Sequence, residues 1–250
     1  MKIRKTGSSG RVAIAARALE TLLAHRGGEL LLLPIPTTRD KIHLTGTDKT
    51  LRETLCGVGR GDAVLCYGLP EELRLELRER GVAVCDASLD EEFLAENAAI
   101  TADGALGRLL TGLDRAPCDL AVGIIGYGRI GSRLLSRLLF LGARCAVISS
   151  RHEVRLSLAE CGVDCREPAS PDRFSGLDAL INTAPAEVMT DGELAALLSE
   201  GVTVIDLASG HFLPDNPAVI KLSSVPDAMY PVTAGRLYAE YAVRMLSDMA

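Results

Sequence analysis

Three glycines set the first chemical constraint. Gly126, Gly128 and Gly131 stand in A-V-G-I-I-G-Y-G-R-I-G, residues Ala121 to Gly131. This is a G-x-G-x-x-G pattern that follows an apolar strand and opens a long helical pattern, the context that marks a dinucleotide fingerprint. The first glycine allows a tight turn, the second lets a pyrophosphate approach the backbone, and the third lets helix and strand pack closely. Backbone N–H groups at the helix start then face the phosphates. The expected cofactor contacts in this loop are Gly126, Tyr127, Gly128, Arg129, Ile130 and Gly131. The competing reading is a tight strand-to-helix turn with no ligand.

The next apolar strand ends in Ser149-Ser150-Arg151, and no Asp or Glu occurs between Asp119 and Glu153. NAD sites usually place an acid there to hold the ribose hydroxyls. A carboxylate repels a 2′-phosphate, whereas hydroxyls and a guanidinium bind it. A charge-assisted contact of this kind contributes about 1.5–3 kcal/mol, tenfold or more in preference. Ser149, Ser150 and Arg151 therefore point to NADP. The alternative is a polar strand-end turn with Arg151 in solvent.

Further candidates follow from position. Asn182, Thr183, Ala184 and Pro185 close one strand, and Asp206 and Ser209 close another. Ligands of open α/β sheets lie at such carboxyl ends. Asp206 could equally cap local amides. His211 follows that second strand end and is placed as a proton relay. Thr233 and Gly235 open the last helical pattern. Thr233 reads either as an N-cap or, with that helix start, as a carboxylate site. Arg39 offers a planar fork to a dicarboxylate, against the reading of a solvated loop arginine.

The elements that must hold these residues read as α/β. Apolar runs at Leu30–Leu33, Asp62–Tyr67, Val82–Cys85, Leu120–Ile125, Cys145–Ile148, Leu177–Asn182 and Val202–Leu207 alternate with helical patterns. That alternation predicts parallel sheets. The segment 92–113 reads as helical but is weakened by Gly104 and Gly107. The expected architecture is a doubly wound Rossmann domain over 97–250, with a smaller flavodoxin-like α/β domain over 1–96.

The 250 residues carry a net charge of −6, which argues against nucleic acid or a membrane surface as partner. Trp is absent and aromatics make up 4%, so stacking platforms are not expected. The longest apolar run is far too short to span a bilayer, and no apolar segment follows the basic start. Seven cysteines without a C-x-x-C pair read as buried, reduced thiols of a cytoplasmic protein. Cys161 and Cys165 are spaced to share a helix face, but no nearby His completes a metal site.

The second half resembles the first subunit of dipicolinate synthase, a family related to the 2-hydroxyacid dehydrogenases and adenosylhomocysteinase. The matching stretches are Asn97–Ala105, the loop Gly123–Gly131, Ile181-Asn182-Thr183-Ala184-Pro185 with Asp206-Leu207-Ala208-Ser209, and Pro226–Gly235. The first half matches more loosely, with Thr37 and Thr38 in a strand-end loop on the substrate side. Ile100 and Asp227 replace a proline and a glycine of the family pattern, and the opening strand and helix look missing. The resemblance implies oxidation of a dihydrodipicolinate-type precursor to dipicolinate, with hydride passing to NADP, in sporulation. It also implies a flavoprotein-like companion subunit and a last helix that returns to the first domain; a homo-oligomer is expected as well. The alternatives are a cofactor-binding regulatory homologue without catalysis and an NADP-dependent 2-hydroxyacid dehydrogenase.

Overall fold

The computed structural model describes every residue except Ser8, Ser209, His211, Met249 and Ala250. The chain forms two compact units, one of Met1–Asn97 with Pro226–Ala250 and the other of Ala98–Val225. The first unit opens with strand β1 (Lys2–Lys5) and helix α1 (Gly10–Leu22), followed by β2 (Glu29–Leu32) and α2 (Leu51–Leu55). Then come β3 (Ala63–Cys66), α3 (Glu71–Glu79), β4 (Ala83–Asp86) and the start of α4 (Glu91–Gly112). The strands pair in parallel in the order β1-β2-β3-β4.

This opening corrects the expectation that the first strand and helix are missing. β1 reads Lys-Ile-Arg-Lys and pairs only with β2, so it is a half-exposed edge without an apolar run to announce it. Charged residues suit such an edge. The strand order also lacks the reversal of the flavodoxin order 2-1-3-4-5. Removing the outermost strand from that order leaves the arrangement seen here. The unit's core lies around Leu31, Leu33, Leu55, Val64, Leu77 and Val84.

The second unit holds β5 (Ala121–Ile125), α5 (Arg129–Phe140), β6 (Arg144–Ile148), α6 (His152–Glu160) and β7 (Asp164–Arg166). It continues with β8 (Ala179–Asn182), α7 (Asp191–Ser199), β9 (Thr203–Asp206) and β10 (Ile220–Lys221). The parallel order is β10-β9-β8-β5-β6-β7, the doubly wound Rossmann arrangement, with its reversal at β5 and β8. Both faces of this sheet are covered. Val122, Ile124, Val147 and Ile181 face one core, and Ile125, Ile148, Leu180 and Val204 face the other. Burial on both faces explains the uninterrupted apolar runs.

α4 runs unbroken through Gly104 and Gly107. Ala102, Ala105 and Leu109 are fully buried along it, so packing overrides the glycine propensity. Cys161 caps α6 while Cys165 lies in β7, so the two do not share a helix face. All seven cysteines are free, but only Cys66, Cys85 and Cys145 are buried; Cys56, Cys118 and Cys161 are exposed.

The chain ends with α8 (Val225–Met229) and α9 (Pro231–Asp248). α9 belongs to the first unit and packs along α1. Gly235 makes this possible: a β-carbon there would stand 2.6 Å from Ile14 Cβ and 2.8 Å from the Arg11 carbonyl.

Candidate functional site

The glycine turn is built as its spacing demands. Gly126 takes a left-handed conformation, φ +89°, directly after β5. A β-carbon on Gly131 would collide with the Gly126 carbonyl and stand 3.1 Å from Thr183 Oγ1. Gly128 is the N-cap of α5, and a β-carbon on it would meet nothing within 4 Å. No side chain caps this helix. An uncapped helix start beside an open glycine suits a pyrophosphate. Tyr127 and Ile130 are half-buried against the core, and Arg129 is exposed.

The turn is braced from the neighbouring strand. Thr183 Oγ1 donates to the Ile125 carbonyl at 2.9 Å and lies 3.3 Å from that of Gly126. Asn182 is fully buried and donates through Nδ2 to Asp206 Oδ1 at 3.0 Å. Its Oδ1 accepts the Ala184 N–H at 3.0 Å, and Asp206 Oδ1 accepts the Ala208 N–H at 3.1 Å. Asn182 and Asp206 thus shape the loops after β8 and β9 through internal bonds. Pro185 is exposed on the first of these loops. Ser209 and His211 lie outside the described residues.

At the end of β6, Ser149 is buried and its Oγ accepts the Arg151 N–H at 3.3 Å. Ser150 and Arg151 are exposed. The Arg151 guanidinium donates to the Tyr127 carbonyl, so it folds onto the glycine turn and is not an isolated solvated charge. Sequence reasoning missed Arg155. Its Nη1 donates to the Ser149 and Ser150 carbonyls at 2.8 and 3.1 Å, and it pairs with Glu167. The i, i+4 step from Arg151 on α6 was the available signal. Glu167 has no sequence signal, because it arrives after β7. Arg151 and Arg155 thus both bring guanidinium groups to this strand end, and Glu167 is paired to Arg155.

The first-unit candidates separate differently. Thr37 is fully buried, donates to the Pro34 carbonyl at 3.1 Å and accepts the Tyr67 N–H at 2.8 Å. Its hydroxyl ties the loop after β2 to the loop after β3. Thr38 Oγ1 donates to Asp40 Oδ1 at 3.2 Å. Asp40 also accepts the N–H groups of Ile42 and His43 and contacts His43 Nδ1 at 2.7 Å. Those hydrogen bonds, that of the His43 side chain first, hold its carboxyl well below the usual range. Arg39 is exposed next to this cluster. Thr233 is not an N-cap: α9 starts two residues earlier at Pro231, a residue suited to the first turn. Gly235 lies buried against α1, inside the helix.

No protein-family model matches the chain, and no curated protein does. Solved structures do match its fold. The first subunit of dipicolinate synthase from Bacillus halodurans is 20% identical, with 98% of this chain and 97% of that chain covered at a TM-score of 0.76. The corresponding dipicolinate synthase chain from Bacillus subtilis is 16% identical, with 100% and 96% covered at 0.76. A transhydrogenase from Sinorhizobium meliloti is 14% identical, with 99% and 92% covered at 0.64. The chain shares the fold of these proteins. Among its described residues no helix is long and apolar enough to cross a membrane.

Proposed function

We propose that the chain is an NADP-dependent oxidoreductase that oxidises a dihydrodipicolinate-type precursor to dipicolinate. The observation that carries the cofactor half is the pairing of Arg151 with the Tyr127 carbonyl, beside an open Gly128 and an uncapped α5. That arrangement offers amides to a pyrophosphate and a guanidinium to a 2′-phosphate. NADP supplies the hydride acceptor when bound. Thr183 fixes the glycine turn, and Asn182 with Asp206 fixes the loops after β8 and β9 on the nicotinamide side. His211 is assigned to the proton that leaves as the ring becomes aromatic. Aromatisation supplies the driving force, so orientation is the chain's main task.

The substrate half rests on the shared fold with the two dipicolinate synthase chains and on the ordered stretches quoted from the sequence. The family resemblance read from the sequence extends the proposal to a flavoprotein-like companion subunit, and with it go a homo-oligomer and the cytoplasmic setting expected from reduced cysteines. A catalytically silent homologue drew its support from a shortened first domain; the opening strand and helix are present, and the sheet has four strands.

The test has two stages. Thermal shift with NADP and NAD should show the larger rise with NADP, since a ligand of the native state stabilises by mass action. Pyridine-2,6-dicarboxylate formation is then followed with and without the companion subunit. No shift with either cofactor overturns the reading; a shift without turnover in any pairing overturns its substrate half.

A further inference from the structure

Arg11 is the second residue of α1 and only 3% exposed. Its Nε and Nη1 are buried and make no hydrogen bond. Buried guanidinium groups are normally paired, because an unpaired one forfeits both its hydration and its donors. Each such group in a native structure calls for a reason.

The carboxylate whose charge acts on it does not supply one. Asp227, on α8, accepts the Ser9 hydroxyl at 2.8 Å and the Arg11 backbone N–H at 2.7 Å through the same Oδ1. Together with the Ser9 hydroxyl, which accepts the Val12 N–H, it caps the start of α1. It forms no ion pair with the Arg11 side chain among the described residues. Asp227, Tyr238 and Tyr67 are the groups whose charge acts on that guanidinium, and burial outweighs them to push its pKa down. Tyr238 is itself fully buried, and its hydroxyl donates to the Leu33 carbonyl just past β2 at 3.3 Å. Tyr67 directly follows β3. The guanidinium therefore lies by the carboxyl ends of a parallel sheet, where α/β folds place their ligands.

We propose that the Arg11 guanidinium takes up a carboxylate of the acid substrate in the first unit. Two features converge on it: a buried guanidinium with two unmade donors, and a position at the strand ends. Arg39 shares the strand-end position, in the loop after β2, but is exposed. A carboxylate supplies the missing countercharge, and the planar guanidinium matches its geometry. This assignment rests on the substrate half of the proposed function.

The experiment is thermal shift and calorimetric titration of the whole chain with pyridine-2,6-dicarboxylate as probe. Wild-type protein should bind it, and Arg11→Met should bind about tenfold or more weakly. The apo melting temperature of Arg11→Met should equal or exceed that of wild type, because Met fills similar volume without a buried charge. Arg52→Met, which removes an exposed guanidinium, serves as control and should bind as wild type does. NADP titrations on the same samples should be unchanged by Arg11→Met. That keeps the two proposals separable: loss of NADP binding by wild type sinks the cofactor reading and leaves Arg11 judged by its own titration. Undiminished dicarboxylate binding by Arg11→Met overturns the assignment. So does an apo variant that melts well below wild type with its binding intact, or an equal shift with sulfate, or no dicarboxylate binding by wild type.

Discussion

Asn182 Nδ2 donates to Asp206 Oδ1 at 3.0 Å, joining the carboxyl ends of two neighbouring strands inside the sheet. The register sets it up: Asn182 of β8 stands opposite Asp206 of β9. Both side chains are buried, so each depends on the other. Asn182→Leu should cost about 1–3 kcal/mol, because it leaves a buried carboxylate short of a donor. Urea denaturation measures this. A wild-type midpoint would mean that the bond is replaced by water or is not formed.

Gly131 and Gly128 should respond in opposite ways to the same substitution. At Gly131 a methyl group collides with backbone, which cannot move aside cheaply. Gly131→Ala should cost about 1–3 kcal/mol of stability and lower cofactor affinity as well. At Gly128 the space is open and the backbone is extended, φ −97°, so Ala fits the free protein. Gly128→Ala should leave the melting temperature near wild type and weaken the cofactor alone. Equal losses of stability at both positions would count against the assigned turn.

Arg151 is the residue on which cofactor preference should turn. Arg151→Ala should weaken NADP by about tenfold and leave NAD little changed. Arg151→Asp should go further and favour NAD, since a carboxylate at this strand end holds ribose hydroxyls. Titrating both cofactors against each variant decides it. A uniform loss for both would assign Arg151 to holding the glycine turn through the Tyr127 carbonyl.

The second unit was legible because its strands are buried on both faces. Burial on both faces turns strands into unbroken apolar runs, and the runs from Val122 to Val204 announce themselves. The glycine turn was legible because φ +89° and backbone contact leave few residue types at Gly126 and Gly131. β1 was not, because a charged edge strand carries no period. The Arg155–Glu167 pair was hidden for another reason: the end of α6 and all of β7 lie between its members. Arg11 left no trace in the sequence either. Its type is ordinary near a helix start, and only burial without a partner sets it apart. Thr233 misled because a threonine before a helical pattern looks like a cap, while Pro231 had already begun the helix.

The second unit carries a pH-sensitive brace at the amino end of its sheet. Asp178 precedes β8 and accepts the Ala121 N–H at 2.7 Å, and Arg115 Nη2 stands 2.5 Å from its other oxygen. Burial raises its pKa, but the Arg115 hydrogen bond, the Ala121 amide and the nearby positive charges outweigh that. The net pKa lies below the ordinary value of 3.8. A carboxyl depressed on folding adds stability that is fully present above the ordinary value and is lost as pH falls through the depressed one. Asp178→Asn should therefore lower stability at neutral pH by about 1 kcal/mol and flatten the acid limb of the stability curve. Arg115→Met should have the smaller effect, because the Ala121 amide remains bound. Urea midpoints collected from about pH 2 to 7 give both curves. Parallel acid limbs for Asp178→Asn and wild type would remove Asp178 from the account of acid unfolding.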